Sequence, residues 1–125
     1  MATWTSGALD KIGAATELEV AGTREDGSLR RPVTIWVVRD GDDLYVRSYK
    51  GNAGAWFRGT QIRHQGHIRA GGVDQDVTFA DVTDPAVNDQ VDAAYRAKYS
   101  SYGASYIDPM LAPAARSTTL RLVPR

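Results

Sequence analysis

Cysteine is missing from this chain altogether. That absence removes disulfides, thiolate nucleophiles and Cys-ligated metals together. Histidine is nearly as scarce, with only His64 and His67, three positions apart. No third ligand is patterned near them, so both read as surface residues and no metal site is expected. Long apolar runs are also lacking. The longest, Val33–Val38, is interrupted by Thr34 and falls far short of the roughly 20 residues that a membrane span needs. The opening MATWTSGALDK has neither a basic start nor an apolar stretch and does not read as a signal peptide. The expectation is a soluble, cytoplasmic protein without a membrane partner.

Net charge is the next absence: 15 basic residues balance 15 acidic ones. The distribution is nonetheless uneven. Nine basic and five acidic residues fall between Arg24 and Arg69, whereas seven acidic and two basic ones fall between Asp74 and Asp108. A local positive field without a global excess argues against nucleic acid and for a confined anionic small-molecule ligand. Two oppositely charged solvated faces would give the same pattern, and composition leaves both readings open.

What is present suits one compact domain spanning residues 1–125, since 42% of the 125 residues are apolar. TSGALDKIGAA offers Thr5 or Ser6 as a cap and Leu9, Ile12 and Ala15 on one helical face. ELEVAGTR alternates as a strand, and Glu25–Ser28 is a tight Asp-Gly turn. Arg30–Val38 is rich in β-branched and aromatic residues, which predicts a strand buried on both faces. Turning through RDGDD into LYVRS, these segments predict a three-strand meander. A short helix is expected from Trp56 to near Gly66, then a hairpin of HIRAGG and QDVTFADV. The strongest helix signal starts with Asp84 at the cap and Pro85 at the first position, and Gly103 stops it. A Pro-broken connection and a last strand, Ser117–Val123, complete the chain. The prediction is α+β: a six-stranded, mainly antiparallel sheet with two to three helices, curled into a small barrel because twist accumulates. Side chains fill a barrel of that size, so a ligand would sit outside it, in a cleft or at a subunit boundary.

Chemistry-bearing groups are few. Ser48 has no local base, Asp40, Asp42 and Asp43 lie in a turn, and no glycine-rich phosphate loop precedes a helix. No catalytic residue is assigned. Tyr95, Tyr99, Tyr102 and Tyr106 are expected to pack a helix onto the sheet rather than form a stacking platform. The basic group differs in kind. In a meander, Arg30 and Arg31 would meet Lys50 at one end of the sheet, beside Gly51, Gly54 and Trp56. Several cations, a backbone that permits close approach and an aromatic face suit a phosphate-bearing ligand. Trp56 as a simple barrel plug remains the other reading.

RRPVTIWVVRDGDDLYVRSYKGNAGAWFRG resembles the pattern of the FMN-binding split β-barrel superfamily. That superfamily includes pyridoxamine-phosphate-oxidase-like and deazaflavin-dependent nitroreductase proteins. The whole chain, including DAAYRAKY and TTLRLVPR, resembles an uncharacterised bacterial branch, a domain of unknown function. The resemblance implies a split β-barrel, usually a homodimer with the ligand between protomers, and an oxidoreductase using FMN or a deazaflavin coenzyme on a small organic substrate. It implies Arg30 and Arg31 near the cofactor phosphate, with Pro32, Val33 and Thr34 lining the ring. Ser48, Tyr49, Lys50 and Gly51 would hold the tail, and Trp56 and Arg58 would close the pocket. A cofactor-free metabolite-binding protein or enzyme on the same barrel is the alternative.

Overall fold

The computed structural model describes residues 3–125. Helix α1 (Ser6–Ala14) is capped by the Thr5 hydroxyl, which accepts from the Ala8 N–H, and it buries Leu9 and Ile12. Strands β1 (Leu18–Gly22), β2 (Val33–Ile35), β3 (Val38–Asp40) and β4 (Asp43–Val46) follow. A 3₁₀ turn, Gly51–Ala53, leads into α2 (Ala55–Arg63), which ends at His64 in the left-handed region, before the Gly66 expected from sequence. Then come β5 (Gln65–Ala70), β6 (Val73–Asp81), α3 (Pro85–Tyr99), α4 (Ala104–Leu111), α5 (Pro113–Arg116) and β7 (Leu120–Pro124).

The strands form one antiparallel sheet in the order β2-β1-β5-β6-β7-β4-β3. Its two edges, β2 and β3, are separated in sequence only by Trp36 and Val37. Seven strands laid flat would span about 29 Å, at about 4.8 Å per neighbour. Three peptide steps, from Ile35 to Val38, reach at most about 11 Å. The chain therefore forces the edges together, and the sheet must curl into a barrel split between β2 and β3.

The class stands as α+β with a split barrel, and three details are corrected. Among the described residues there are seven strands and five helices, not six strands and two to three helices. The expected single strand over Arg30–Val38 is two short strands on opposite edges, so no three-strand meander forms. Nor is it buried on both faces: Val33 and Thr34 are exposed, because β2 is a rim strand paired only with β1. The region read as a Pro-broken connection holds α4 and α5. Pro113 stands at the first turn of α5, where its missing N–H removes no helical bond.

Two apolar clusters result. Leu18, Val20, Leu44, Val46, Ile68, Val77, Phe79, Leu120 and Leu122 fill the barrel, with Ile12 and Phe57 added from the helices. Val38 and Tyr45, from the outer face of β3 and β4, pack with Val91, Tyr95 and Tyr99 of α3. The alternation Leu44, Tyr45, Val46 thus serves both clusters from one strand. Tyr95 and Tyr99 are core as expected, whereas Tyr102 and Tyr106 are exposed.

Beyond β4, Arg47 is fully buried. Its five N–H groups are all used: Nε donates to Thr119 Oγ1 (2.8 Å), Nη1 to Asp92 Oδ1 (2.5 Å) and the Met110 carbonyl (3.0 Å), and Nη2 to the Asn88 carbonyl (3.0 Å) and Oδ1 (3.2 Å). This anchor fixes where the segment after β4 departs.

Candidate functional site

The hairpin β1–β2 is closed by the turn read from sequence. The Asp26 carboxylate accepts from the Ser28 N–H (3.0 Å) and hydroxyl (2.6 Å), and both bonds hold its pKa below the usual carboxylate range. The bridge between Thr23 and Leu29 carries the ladder past β1. Arg24 is thereby folded back beside Arg30 and Arg31. Helix α2 packs on β1 at a point with no side chains, for a Cβ on Gly22 would come within 3.0 Å of the Gly59 carbonyl. The close approach brings Trp56, one turn earlier, against the same hairpin.

A groove of about 270 Å³ lies there, lined by Val20, Gly22, Arg24, Arg30, Arg31, Val33, Ala55 and Trp56. No carboxylate of the described residues lines it. Among the described residues, none of the three arginines forms an ion pair. Trp56 is half-buried with an edge-to-face contact to Phe57 at 6.2 Å between centroids, and Phe57 is the one sunk into the barrel core.

Of the residues expected at a site, Arg30, Arg31, Val33 and Trp56 meet in this groove. Pro32 is exposed between them and Thr34 lines a separate groove of about 320 Å³ with Glu17, Glu19 and Arg69. Ser48, Tyr49, Lys50, Gly51 and Arg58 do not line the arginine groove. The backbone N–H of Ser48 donates to Thr118 Oγ1 (2.9 Å), and Gly51 packs on Ala114. Tyr49 is exposed with the Lys50 ammonium 5.8 Å from its ring centroid, and Arg58 is exposed on α2. The meeting of Lys50 with Arg30 and Arg31 presumed β2 paired with β4, but β2 pairs with β1, and β4 pairs with β3 and β7.

Sequence reasoning missed Arg24. Its signal was present: a tight turn holding Asp-Gly folds the residue before it onto the residues after it. Here a three-residue loop, residues 25–27, is closed by the Arg24 N–H donating to the Ser28 carbonyl (2.7 Å). Both histidines pair with acids on the β5–β6 surface, His64 with Asp81 (3.2 Å) and His67 with Asp74 (3.1 Å) and Asp76 (2.9 Å). Burial alone would lower the His67 pKa, but the two carboxylates outweigh it and raise it above 6.5. No cluster of three or more metal-ligating side chains able to hold an ion occurs among the described residues.

Residues 8–122 match the model of a family described as uncharacterized proteins conserved in bacteria, DUF2255. The chain belongs to that family. No curated protein matches it. Among solved structures, it is similar to the conserved hypothetical protein Rv2991 of Mycobacterium tuberculosis, with a TM-score of 0.70 and 12% identity over 99% of this chain and 82% of that one. It is also similar to HutZ, the heme storage protein of Vibrio cholerae, with a TM-score of 0.64 and 13% identity over 93% of this chain and 86% of that one. An FAD-binding protein of Mesorhizobium loti follows, with a TM-score of 0.59 and 15% identity over 98% of this chain and 91% of that one. At such identities the likeness is one of fold, and this DUF2255 chain has the split-barrel fold. The interior of this barrel is filled by its own side chains.

No helix among the described residues is long and apolar enough to cross a membrane.

Proposed function

We propose that the chain is a flavin- or deazaflavin-binding oxidoreductase acting on a small organic substrate, with the cofactor seated in the arginine groove. The observation that carries this reading is the groove itself: Arg24, Arg30 and Arg31, none of them ion-paired among the described residues, beside the half-buried Trp56. Unpaired guanidinium groups suit a phosphate, which they bind in bidentate fashion, and an indole face suits a flat conjugated ring. The donor set therefore fits FMN or a deazaflavin coenzyme. When bound, such a cofactor supplies the hydride or electron transfer. The chain's part is to hold the phosphate through Arg30 and Arg31, to orient the ring against Trp56, and to keep water from one ring face with Val20 and Val33.

The groove of about 270 Å³ is smaller than the roughly 300–1,000 Å³ that encloses a drug-sized ligand. A second copy of the chain would complete it, and the exposed Leu29 and Val33 on the same hairpin suit such a homodimer. The small volume also favours the second reading, a cofactor-free protein that binds a smaller anionic metabolite on the same rim.

An absorbance spectrum of the purified protein, followed by titration with FMN, riboflavin and the deazaflavin coenzyme, tests the reading. Arg31→Ala is expected to weaken FMN at least tenfold while changing riboflavin little, because a charge-assisted contact contributes roughly 1.5–3 kcal/mol. Equal loss for both ligands would remove the phosphate role, and absence of binding by the wild type would favour the cofactor-free reading.

A further inference from the structure

Three arginines surround a groove that one phosphate would need only two of them to satisfy. A phosphate monoester offers three terminal oxygens and roughly −1.5 to −2 charge near pH 7, which two bidentate guanidinium groups balance. A third cation in so small a volume, offset in part by the Asp26 carboxylate behind the Ser28 hydroxyl, favours a ligand that brings a second negative group. Arg24 is that third cation.

Arg24 is also held more firmly than an exposed arginine usually is. Its Nη1 donates to the Leu29 carbonyl (2.8 Å) and to Ser28 Oγ (3.2 Å), and the Ser28 hydroxyl donates onward to Asp26 Oδ1 (2.6 Å). Asp26, an acid near the groove, is thus occupied by the turn and does not line the groove. Of the five N–H groups of Arg24, the two on Nη1 are used, while those on Nε and Nη2 have no partner among the described residues. Arg30 is placed differently, across α2: a Cβ on Gly59 would come within 2.7 Å of its Cδ and Nε. The glycine provides the space in which the Arg30 stem lies. The Arg24 guanidinium is therefore held by the turn, while the Arg30 stem lies against α2 at Gly59.

From this geometry we infer that the groove selects a ligand with two adjacent negative groups, a diphosphate over a single phosphate, and that Arg24, held by the Asp26–Ser28 turn, makes the distinction. The inference rests on the groove being the anion site of the proposed function, and it goes beyond that reading in naming the class of anion.

The test uses ring-free probes, so that it does not depend on any cofactor. Inorganic pyrophosphate and inorganic phosphate are titrated calorimetrically into the full chain, wild type, Arg24→Gln and Ser28→Ala. The wild type is expected to bind pyrophosphate at least tenfold more tightly than phosphate. Arg24→Gln should abolish that preference and keep the phosphate affinity within about twofold, since Arg30 and Arg31 remain. Ser28→Ala keeps the charge but loosens its hold, and should give an intermediate preference. Circular dichroism confirms that each variant is folded. Equal affinity of the wild type for both anions, binding of neither, or equal weakening of both by Arg24→Gln would overturn the inference. Parallel titrations with FMN and FAD separate the two proposals. Selective pyrophosphate binding without flavin binding removes the flavin reading and keeps the diphosphate inference. Flavin binding without a pyrophosphate preference does the reverse.

Discussion

Trp56 and Phe57 are neighbours in sequence and differ in everything that burial decides. Phe57 is 7% exposed and belongs to the barrel core, whereas Trp56 only leans on that core and lines the arginine groove. Helical geometry explains the division, since consecutive residues on α2 point about 100° apart. Phe57→Ala should therefore cost about 3–5 kcal/mol, the range for a buried aromatic truncated in a core. Trp56→Ala should cost clearly less and leave a folded chain. Thermal melting of both variants, with and without FMN, gives the comparison: a small drop for Trp56→Ala together with a lost FMN shift is the expected result. A collapse as large as that of Phe57→Ala would make Trp56 a plug.

At the scale of elements, the buried Arg47 binds the end of β4 to α3, to α4 and to the residue before β7 through Asp92, Asn88, Met110 and Thr119. Asp92 is shared, accepting from both Arg47 and Arg116, and Arg116 also reaches the exposed Asp89 at 3.1 Å. The two acids occupy one helix but not one environment. Asp92→Ala leaves the Arg47 guanidinium buried without its carboxylate, which costs about 3–5 kcal/mol. Asp89→Ala removes an exposed partner and should cost less than about 1 kcal/mol. Urea denaturation midpoints of the two variants should differ accordingly. Similar midpoints would mean that water reaches Arg47.

The whole molecule depends on closing the split where β2 passes into β3. There the Lys98 ammonium donates to the carbonyls of Ala15 (2.6 Å) and Val37 (2.7 Å), and the Tyr99 hydroxyl accepts from the Val37 N–H (3.2 Å) and donates to the Thr16 carbonyl (2.7 Å). Trp36 stacks on the Tyr99 ring at 4.0 Å, so α3 fastens the crossing by polar and apolar means together. Burial lowers the Lys98 pKa from 10.5 to about 8 and raises that of Tyr99 to about 12. Between about 8 and 10.5 the folded chain binds fewer protons at Lys98 than the unfolded chain does. Stability should therefore rise with pH across that window. Tyr99 acts in the opposite direction above 10, where the unfolded tyrosine ionises first. The melting temperature of wild type relative to Lys98→Met should accordingly increase from about pH 7 to about pH 9. A flat difference would mean that Lys98 is fully solvated.

What the sequence determined by itself was local. The Asp84 cap and the turn within Glu25–Ser28 stand where the residues placed them, and of the two caps offered for α1 the structure uses Thr5, because each depends on atoms a few positions apart. The β-branched run Arg30–Val38 signalled extended chain correctly for Val33–Ile35 and again from Val38, but nothing local in it says that Ile35 and Val38 belong to opposite sheet edges. That separation follows from β1 taking β5 as its other neighbour and β4 taking β7, pairings between residues tens of positions apart. The groove divided in the same way. Arg30, Arg31 and Trp56 were legible as cations and an aromatic face, but their meeting with Arg24 rather than with Lys50 was decided by the hairpin register and by α2 lying on Gly22. Arg47 reads in sequence as the polar end of a strand, and only the closure of α3, α4 and β7 around it supplies the five acceptors that let a guanidinium leave water.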